Sequence, residues 1–143
     1  MKLYILRHAE TEWNREDRIQ GQMDSPITRK GEEAMAAMAV RLASVPFDCC
    51  YTSDLPRARK TAEGLLKFRS VPIIEEEALR ELPLGPWEGM RFKDILNDPL
   101  AQAYLKAPET YHREGFMDFY DLYDKLRAFI GRLEQSDHKH VLI

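Results

Sequence analysis

Several features that would mark a specialised protein are scarce in this chain. Of 143 residues only 2 are cysteine, 7 glycine and 4 histidine. The cysteines, Cys49 and Cys50, are adjacent. Neighbouring side chains on a strand point to opposite faces, so a bond between them would be badly strained. A disulfide framework is thereby excluded, and no Cys/His spacing of metal-binding type remains. No apolar run approaches a membrane span, and Leu3–Leu6 is too short for a signal peptide before Arg7 and His8 interrupt it. Net charge is only −3, so no global field draws the chain to nucleic acid or an acidic membrane. An anionic substrate would need a local cluster of cations. One domain over residues 1–143, in a reduced cytoplasmic setting, is the expectation.

The composition, 44% hydrophobic and 31% charged, is that of an ordinary globular protein. Lys2–Leu6 is short, apolar and β-rich, as suits a buried strand. The polar stretch from Glu10 to Ser25 reads as a loop with one turn of helix. Thr28 can cap a helix from Arg29 whose stripe is Ala34, Met35, Met38, Leu42 and Val45. Pro46 ends it. Phe47–Thr52 gives a second buried strand, and Ser53 and Asp54 are cap residues. Pro56 opens a helix with Leu55, Ala58, Ala62, Leu65 and Leu66 on one face. Val71–Glu76 gives a third strand. Short helices fall near Phe92–Leu96 and Leu100–Leu105. The clearest helix buries Phe119, Leu122, Tyr123, Leu126, Phe129, Ile130 and Leu133, and Val141–Ile143 opens another strand. Strands alternating with helices predict an α/β layered fold with a mostly parallel sheet. Such folds carry their chemistry at the carboxyl ends of strands, which points to Arg7-His8, Ser53-Asp54 and Glu81.

His8 follows the first strand beside Arg7. A neutral imidazole attacks phosphorus well, and a guanidinium can neutralise the equatorial oxygens as charge builds. An isolated Arg-His pair is more often a solvated surface feature, so the pair alone decides nothing. Arg57, Arg59 and Lys60 crowd the first turns of a helix, where the macrodipole disfavours cations unless an anion binds there. Glu81 could protonate a leaving alkoxide if burial and a neighbouring dianion favour its protonated form. Taken alone it reads as a solvated acid, and Trp87 as a core residue.

Four blocks in order carry a resemblance. Arg7-His8-Ala9-Glu10-Thr11 is followed by Trp13-Asn14, Gln20-Gly21-Gln22-Met23-Asp24-Ser25-Pro26 and Thr28-Arg29-Lys30-Gly31. Then come Ser53-Asp54-Leu55-Pro56-Arg57-Ala58 and Leu79-Arg80-Glu81 through Trp87-Glu88-Gly89. Together they resemble the phosphoglycerate mutase-like, or histidine phosphatase, superfamily over roughly the whole chain. The branch most resembled holds the α-ribazole phosphatase-type and broad-specificity small-molecule phosphatases. The resemblance implies a three-layer α/β sandwich with helices on both faces of the sheet. It implies a phosphohistidine on His8, phosphoryl contacts from Arg7 and Arg57, and Asn14, Gln20 and Gly21 as further phosphate-binding residues. Glu81 matches the proton donor and acceptor. No metal or organic cofactor is implied, and the partner is a small phosphate ester rather than nucleic acid or membrane.

The sequence departs from that pattern in three places. The family's second catalytic histidine follows a strand like the one beginning at Val141, and the sequence ends at Ile143. The C-terminal part of the domain is therefore expected to be missing, and the activity of the 143-residue chain itself to be low. His138 and His140 precede the strand, at its opposite end, and do not substitute. Ala9 stands where the family has glycine, predicting a tighter pocket. Glu114-Gly115-Phe116-Met117 replaces a Gly-Gly-Glu-Ser block. The aromatics Tyr111, Phe116, Phe119 and Tyr120 fit either an apolar leaving-group pocket or a packed helix stripe. The implied activity is phosphomonoester hydrolysis. A phosphoglycerate-type mutase and a non-catalytic phosphate-binding module are the alternatives.

Overall fold

The computed structural model describes residues 1–143. In chain order the strands are β1 (Lys2–Tyr4), β2 (Cys49–Thr52), β3 (Ile73–Glu75) and β4 (His140–Leu142). The α-helices are α1 (Glu12–Arg15), α2 (Arg29–Arg41), α3 (Pro56–Leu65), α4 (Phe92–Ile95), α5 (Pro99–Lys106) and α6 (Phe119–Glu134). Single 3-10 turns lie at Glu77–Leu79, Gly85–Trp87 and Pro108–Thr110. All four strands run parallel in the order β1-β4-β2-β3, with Leu3 opposite Val141 and Cys50 opposite Ile73.

Strand alternation divides the core between the two faces. Cys50 and Leu142 point one way, into a cluster with Phe47, Ala62, Leu65 and Leu66 beneath α2 and α3. Their neighbours Tyr51 and Ile143 point the other way and pack beside Phe129 and Leu133 of α6. Helices thus cover both faces, the three-layer architecture expected. A buried side chain such as Phe129, 1% exposed, contributes roughly 1.5–3 kcal/mol relative to exposure. α2 and α3 come close because a Cβ on Gly64 would run into the Met35 thioether. A third cluster, Ile19, Leu82, Leu84, Trp87, Ile95, Ala101 and Tyr111, organises the irregular stretch between β3 and α6.

Local signals explain most boundaries. Thr28 accepts from the Gly31 N–H at the start of α2, and Asp118 forms a capping box with Asp121 at the start of α6. Other expectations need correction. β1 is an edge strand, paired only with β4, so Leu3 and Ile5 are exposed rather than buried. Tyr123 lies on the outer side of α6, 59% exposed, because the helix buries only the narrower stripe through Phe129 and Leu133. Ala34 is likewise exposed on α2. Ser53 and Asp54 do not cap α3. Its N-cap is Leu55, and Asp54 is drawn instead to Arg80. Both cysteines are buried free thiols, and burial pushes Cys50 up to about 12. No helix is long and apolar enough to cross a membrane.

Candidate active site

The carboxyl ends of β1, β2 and β4 open into one cavity of about 470 Å³. Arg7, His8, Arg57 and Glu81 all line it, together with Ser53, Thr61 and Arg80. Apolar residues from β2, α3 and α6, among them Cys50, Leu65 and Leu126, form much of the remaining wall.

His8 is half-buried, with Nδ1 2.8 Å from the carbonyl oxygen of Ala9. A carbonyl only accepts, so Nδ1 carries the hydrogen and Nε2 keeps its lone pair. Ala9 is fixed in turn: its N–H donates to Thr61 Oγ1 (2.9 Å), and that hydroxyl donates to the Arg57 carbonyl (2.7 Å). Burial, then the charges of Arg57 and Arg7, hold the imidazole below its ordinary 6.5, against an opposing pull from the Ala9 carbonyl and Asp24. His8 is therefore a neutral imidazole near pH 7, with one fixed tautomer.

Arg57 is 4% exposed in the first turn of α3. Nη1 donates to the Met23 carbonyl and Nη2 to the Gly21 carbonyl, each at 2.7 Å. Asp24 accepts from the Arg57 backbone N–H at 3.2 Å and stands 3.5 Å from Nη1. Asp24 thus supplies from a distant loop the carboxylate that the start of α3 otherwise lacks. Of the five guanidinium hydrogens, Nε–H and one on Nη2 have no protein acceptor. A buried cation with two unassigned donors, beside a neutral imidazole, is a ready site for an oxyanion.

Glu81 enters from the segment after β3. Its side chain is exposed, as the solvated-acid reading has it, with Oε1 accepting from the Leu82 N–H at 2.9 Å. Two links hold its backbone: Gln22 Nε2 donates to the Glu81 carbonyl (3.0 Å), and the preceding Arg80 forms a two-pronged pair with Asp54. Arg80 holds the Asp54 carboxyl below its ordinary range. Tyr104 is pushed up to about 12 by burial and then by the charge of Glu81.

Asn14, Gln20 and Gly21 do not line the cavity. Asn14 Oδ1 accepts from the N–H (3.1 Å) and hydroxyl (3.0 Å) of Thr11, closing the capping box of α1. Gln20 is buried, its Oε1 accepting from the Ser25 hydroxyl (3.2 Å) and sharing the single Thr11 hydroxyl hydrogen with Asn14 Oδ1, also at 3.0 Å. Gly21 acts through its carbonyl on Arg57, in a left-handed conformation with φ of 53°. Arg7 is exposed at the cavity mouth. Ala9 does not line the cavity, so its methyl group does not narrow it. The aromatic question resolves toward packing: Tyr111, 2% exposed, stacks among Trp87, Tyr104 and Phe119, while Tyr120 faces outward at 63%. Sequence reasoning missed Asp24, Gln22 and the Asp54–Arg80 pair, whose partners are distant in the chain.

Residues 3–143 match the family model of the histidine phosphatase superfamily, branch 1. The chain belongs to that superfamily. A protein named Probable phosphoglycerate mutase GpmB, from Escherichia coli, is 43% identical over 88 residues, 62% of this chain. The matched region spans 41% of that relative's length. Among solved structures, YhfR of Bacillus stearothermophilus superposes with a TM-score of 0.90 at 38% identity, covering 99% of this chain and 71% of that one. The α-ribazole phosphatase of Shigella flexneri gives 0.89 at 27% identity, covering 100% of this chain and 72% of its own. Both likenesses agree with the parallel sheet and flanking helices of this histidine phosphatase fold.

Proposed function

We propose that this chain is a phosphomonoester hydrolase acting through a phosphohistidine on His8, with a small phosphorylated metabolite as substrate. The observation behind the reading is the neutral imidazole of His8, tethered through Nδ1 and lining one cavity with Arg7, Arg57 and Glu81.

The Nε2 lone pair of His8 attacks phosphorus, and the bond from phosphorus to the ester oxygen breaks. Glu81, as the acid, gives its proton to the departing oxygen. Arg57 and Arg7 hold the equatorial oxygens, whose charge is theirs to stabilise without any proton movement. Glu81, now a carboxylate, takes a proton from water as the water oxygen attacks the phosphohistidine. Inorganic phosphate leaves, and His8 returns to its neutral tautomer. Asn14, Gln20 and Gly21 serve by holding the loop that fixes Arg57. Membership of a family of enzymes supports turnover, and the α-ribazole phosphatase likeness favours hydrolysis of a small ester.

Steady-state hydrolysis of p-nitrophenyl phosphate by wild type and His8→Ala tests this reading. The variant should lose at least about 10³-fold in kcat, since removing a nucleophile leaves only binding and electrostatic assistance. Equal rates would refute the proposal. The likeness to a protein named a phosphoglycerate mutase favours a second reading, transfer of the phosphoryl group back to another hydroxyl. Product analysis with a phosphoglycerate separates the two: inorganic phosphate marks the hydrolase, an isomeric phosphoglycerate the mutase.

A further inference from the structure

We propose that Glu88, which does not line the cavity, is the positioning residue that sets Arg57 and Glu81 in register. The inference rests on the hydrolase reading above and adds a residue to it.

One oxygen of the Glu88 carboxylate, Oε1, accepts from two backbone N–H groups, that of Gln22 at 3.0 Å and that of Leu84 at 2.9 Å. These belong to the two segments that must meet at the site. Gln22 lies between Gly21 and Met23, whose carbonyls carry the Arg57 guanidinium. Its side chain also donates to the Glu81 carbonyl. Leu84 is three residues beyond Glu81 and is 4% exposed. A single acceptor therefore joins the loop behind one phosphate-binding group to the segment that carries the proton donor. N–H groups directed at a carboxylate make stronger, shorter bonds than those directed at a neutral acceptor.

Glu88 is itself held rigidly. Its N–H donates to the Gly85 carbonyl at 3.0 Å, and the neighbouring Trp87 is 4% exposed with Nε1 3.1 Å from Asp98. Arg113 lies over the Trp87 ring, 3.9 Å from its centroid, and donates to the Leu84 carbonyl. Gly21 completes the fit. Its φ of 53° admits few side chains, and a Cβ there would overlap the Glu88 carboxylate. The Gly21 and Glu88 positions thus define each other.

A positioning role differs from mere stabilisation in what it moves. If Glu88 holds Glu81 for proton donation, its loss slows esters of poor leaving groups more than p-nitrophenyl phosphate, whose leaving oxygen needs little protonation. If it holds Arg57, its loss relaxes the cationic field on His8, which Arg57, Arg7 and Asp24 together set.

The experiment uses the full chain as wild type, Glu88→Ala, Glu88→Gln and Glu88→Asp, with His8→Ala as control. Each is assayed on p-nitrophenyl phosphate and on a simple alkyl phosphate, melted thermally, and titrated at His8 by NMR. Glu88→Ala should lose about 10²-fold in kcat on the alkyl ester, as displacement of a catalytic group by about 1 Å does, with a smaller loss on the aryl ester and little change in KM. Its His8 titration should move up toward 6.5. Glu88→Gln keeps an acceptor oxygen at the same reach and should restore most of both properties. Glu88→Asp, one methylene short, should not; it supplies the readout if Glu88→Ala does not fold. Equal losses on both esters with an unmoved His8 titration, or Glu88→Gln as damaged as Glu88→Ala, would overturn the inference. Wild type no faster than His8→Ala would overturn the hydrolase reading instead, and the His8 titration across the Glu88 series would still decide whether Glu88 fixes Arg57.

Discussion

At the carboxyl end of the parallel sheet His8 is half-buried and shares a cavity with Arg7 and Arg57, and at the amino end the His140 backbone N–H donates to a carboxylate. The Asp48 carboxylate accepts from the backbone N–H groups of Lys139 (2.5 Å) and His140 (2.7 Å), which holds it below its ordinary 3.8. The His140 ring stacks on Tyr4 and lies 3.4 Å from its hydroxyl. The same residue type, in one sheet, thus serves two purposes. Exposed backbone N–H groups at the amino end attract an acid that ties β4 to the segment before β2. Cations and a single tethered nitrogen at the carboxyl end leave a lone pair facing open space. Residue type says little about role; the partner of the other ring nitrogen and the sign of the neighbours say much more.

The contrast can be pressed hardest at Glu81. Replacing it with Gln should lower kcat on an alkyl phosphate by about 10²–10⁴-fold, the usual yield of a placed acid and base. His140→Ala should leave kcat per folded molecule unchanged. Steady-state kinetics on both variants, corrected by melting curves, make the comparison; a catalytic loss in His140→Ala would erase the distinction between the two ends. Arg57→Ala should cost about 10²–10³ in kcat, as loss of a preorganised donor does. It should also raise the His8 titration toward 6.5, since a neighbouring cation has been removed. NMR of the ring protons reads that shift, and an unmoved titration would mean Arg57 does not act on His8.

The smallest effect is expected at Asp48. Asp48→Ala should lower Tm while leaving activity per folded molecule intact. Its pH signature differs from that of His8. A carboxyl held below 3.8 in the fold gives stability that is present above 3.8 and lost as pH falls through the depressed value. His8 is also depressed in the fold, so the unfolded chain binds more protons below 6.5 and stability begins to fall there. Urea melts should therefore show His8→Ala flattening the acid loss just below 6.5, and Asp48→Ala flattening it only below 3.8.

Much of the candidate site's placement is legible in the sequence because its signals are local. His8 follows a strand, and Arg57 opens a helix with Pro56 at N1, so periodicity and cap signals placed both near strand ends. The layered fold followed from alternation of elements. What stayed hidden depends on pairs far apart in sequence. Asp24 meets Arg57 across 33 residues, Glu88 meets Gln22 across 66, and Asp54 turns from capping α3 to meet Arg80 across 26. No local pattern encodes such choices. The misread exposure of Leu3 and Tyr123 has a similar origin, because periodicity shows which residues share a face but not whether another element covers it. The aromatic set divided for the same reason, with Tyr111 entering a core beside Trp87 and Tyr104.

Rapid acid-free quenching of the full chain with a ³²P-labelled phosphomonoester, followed by peptide mapping, tests the central claim most directly. The account predicts an acid-labile, alkali-stable phosphoryl group on Nε2 of His8, formed and discharged at rates that support turnover. Label found on His138 or His140, or turnover with no phosphorylated His8 at any time, would contradict it.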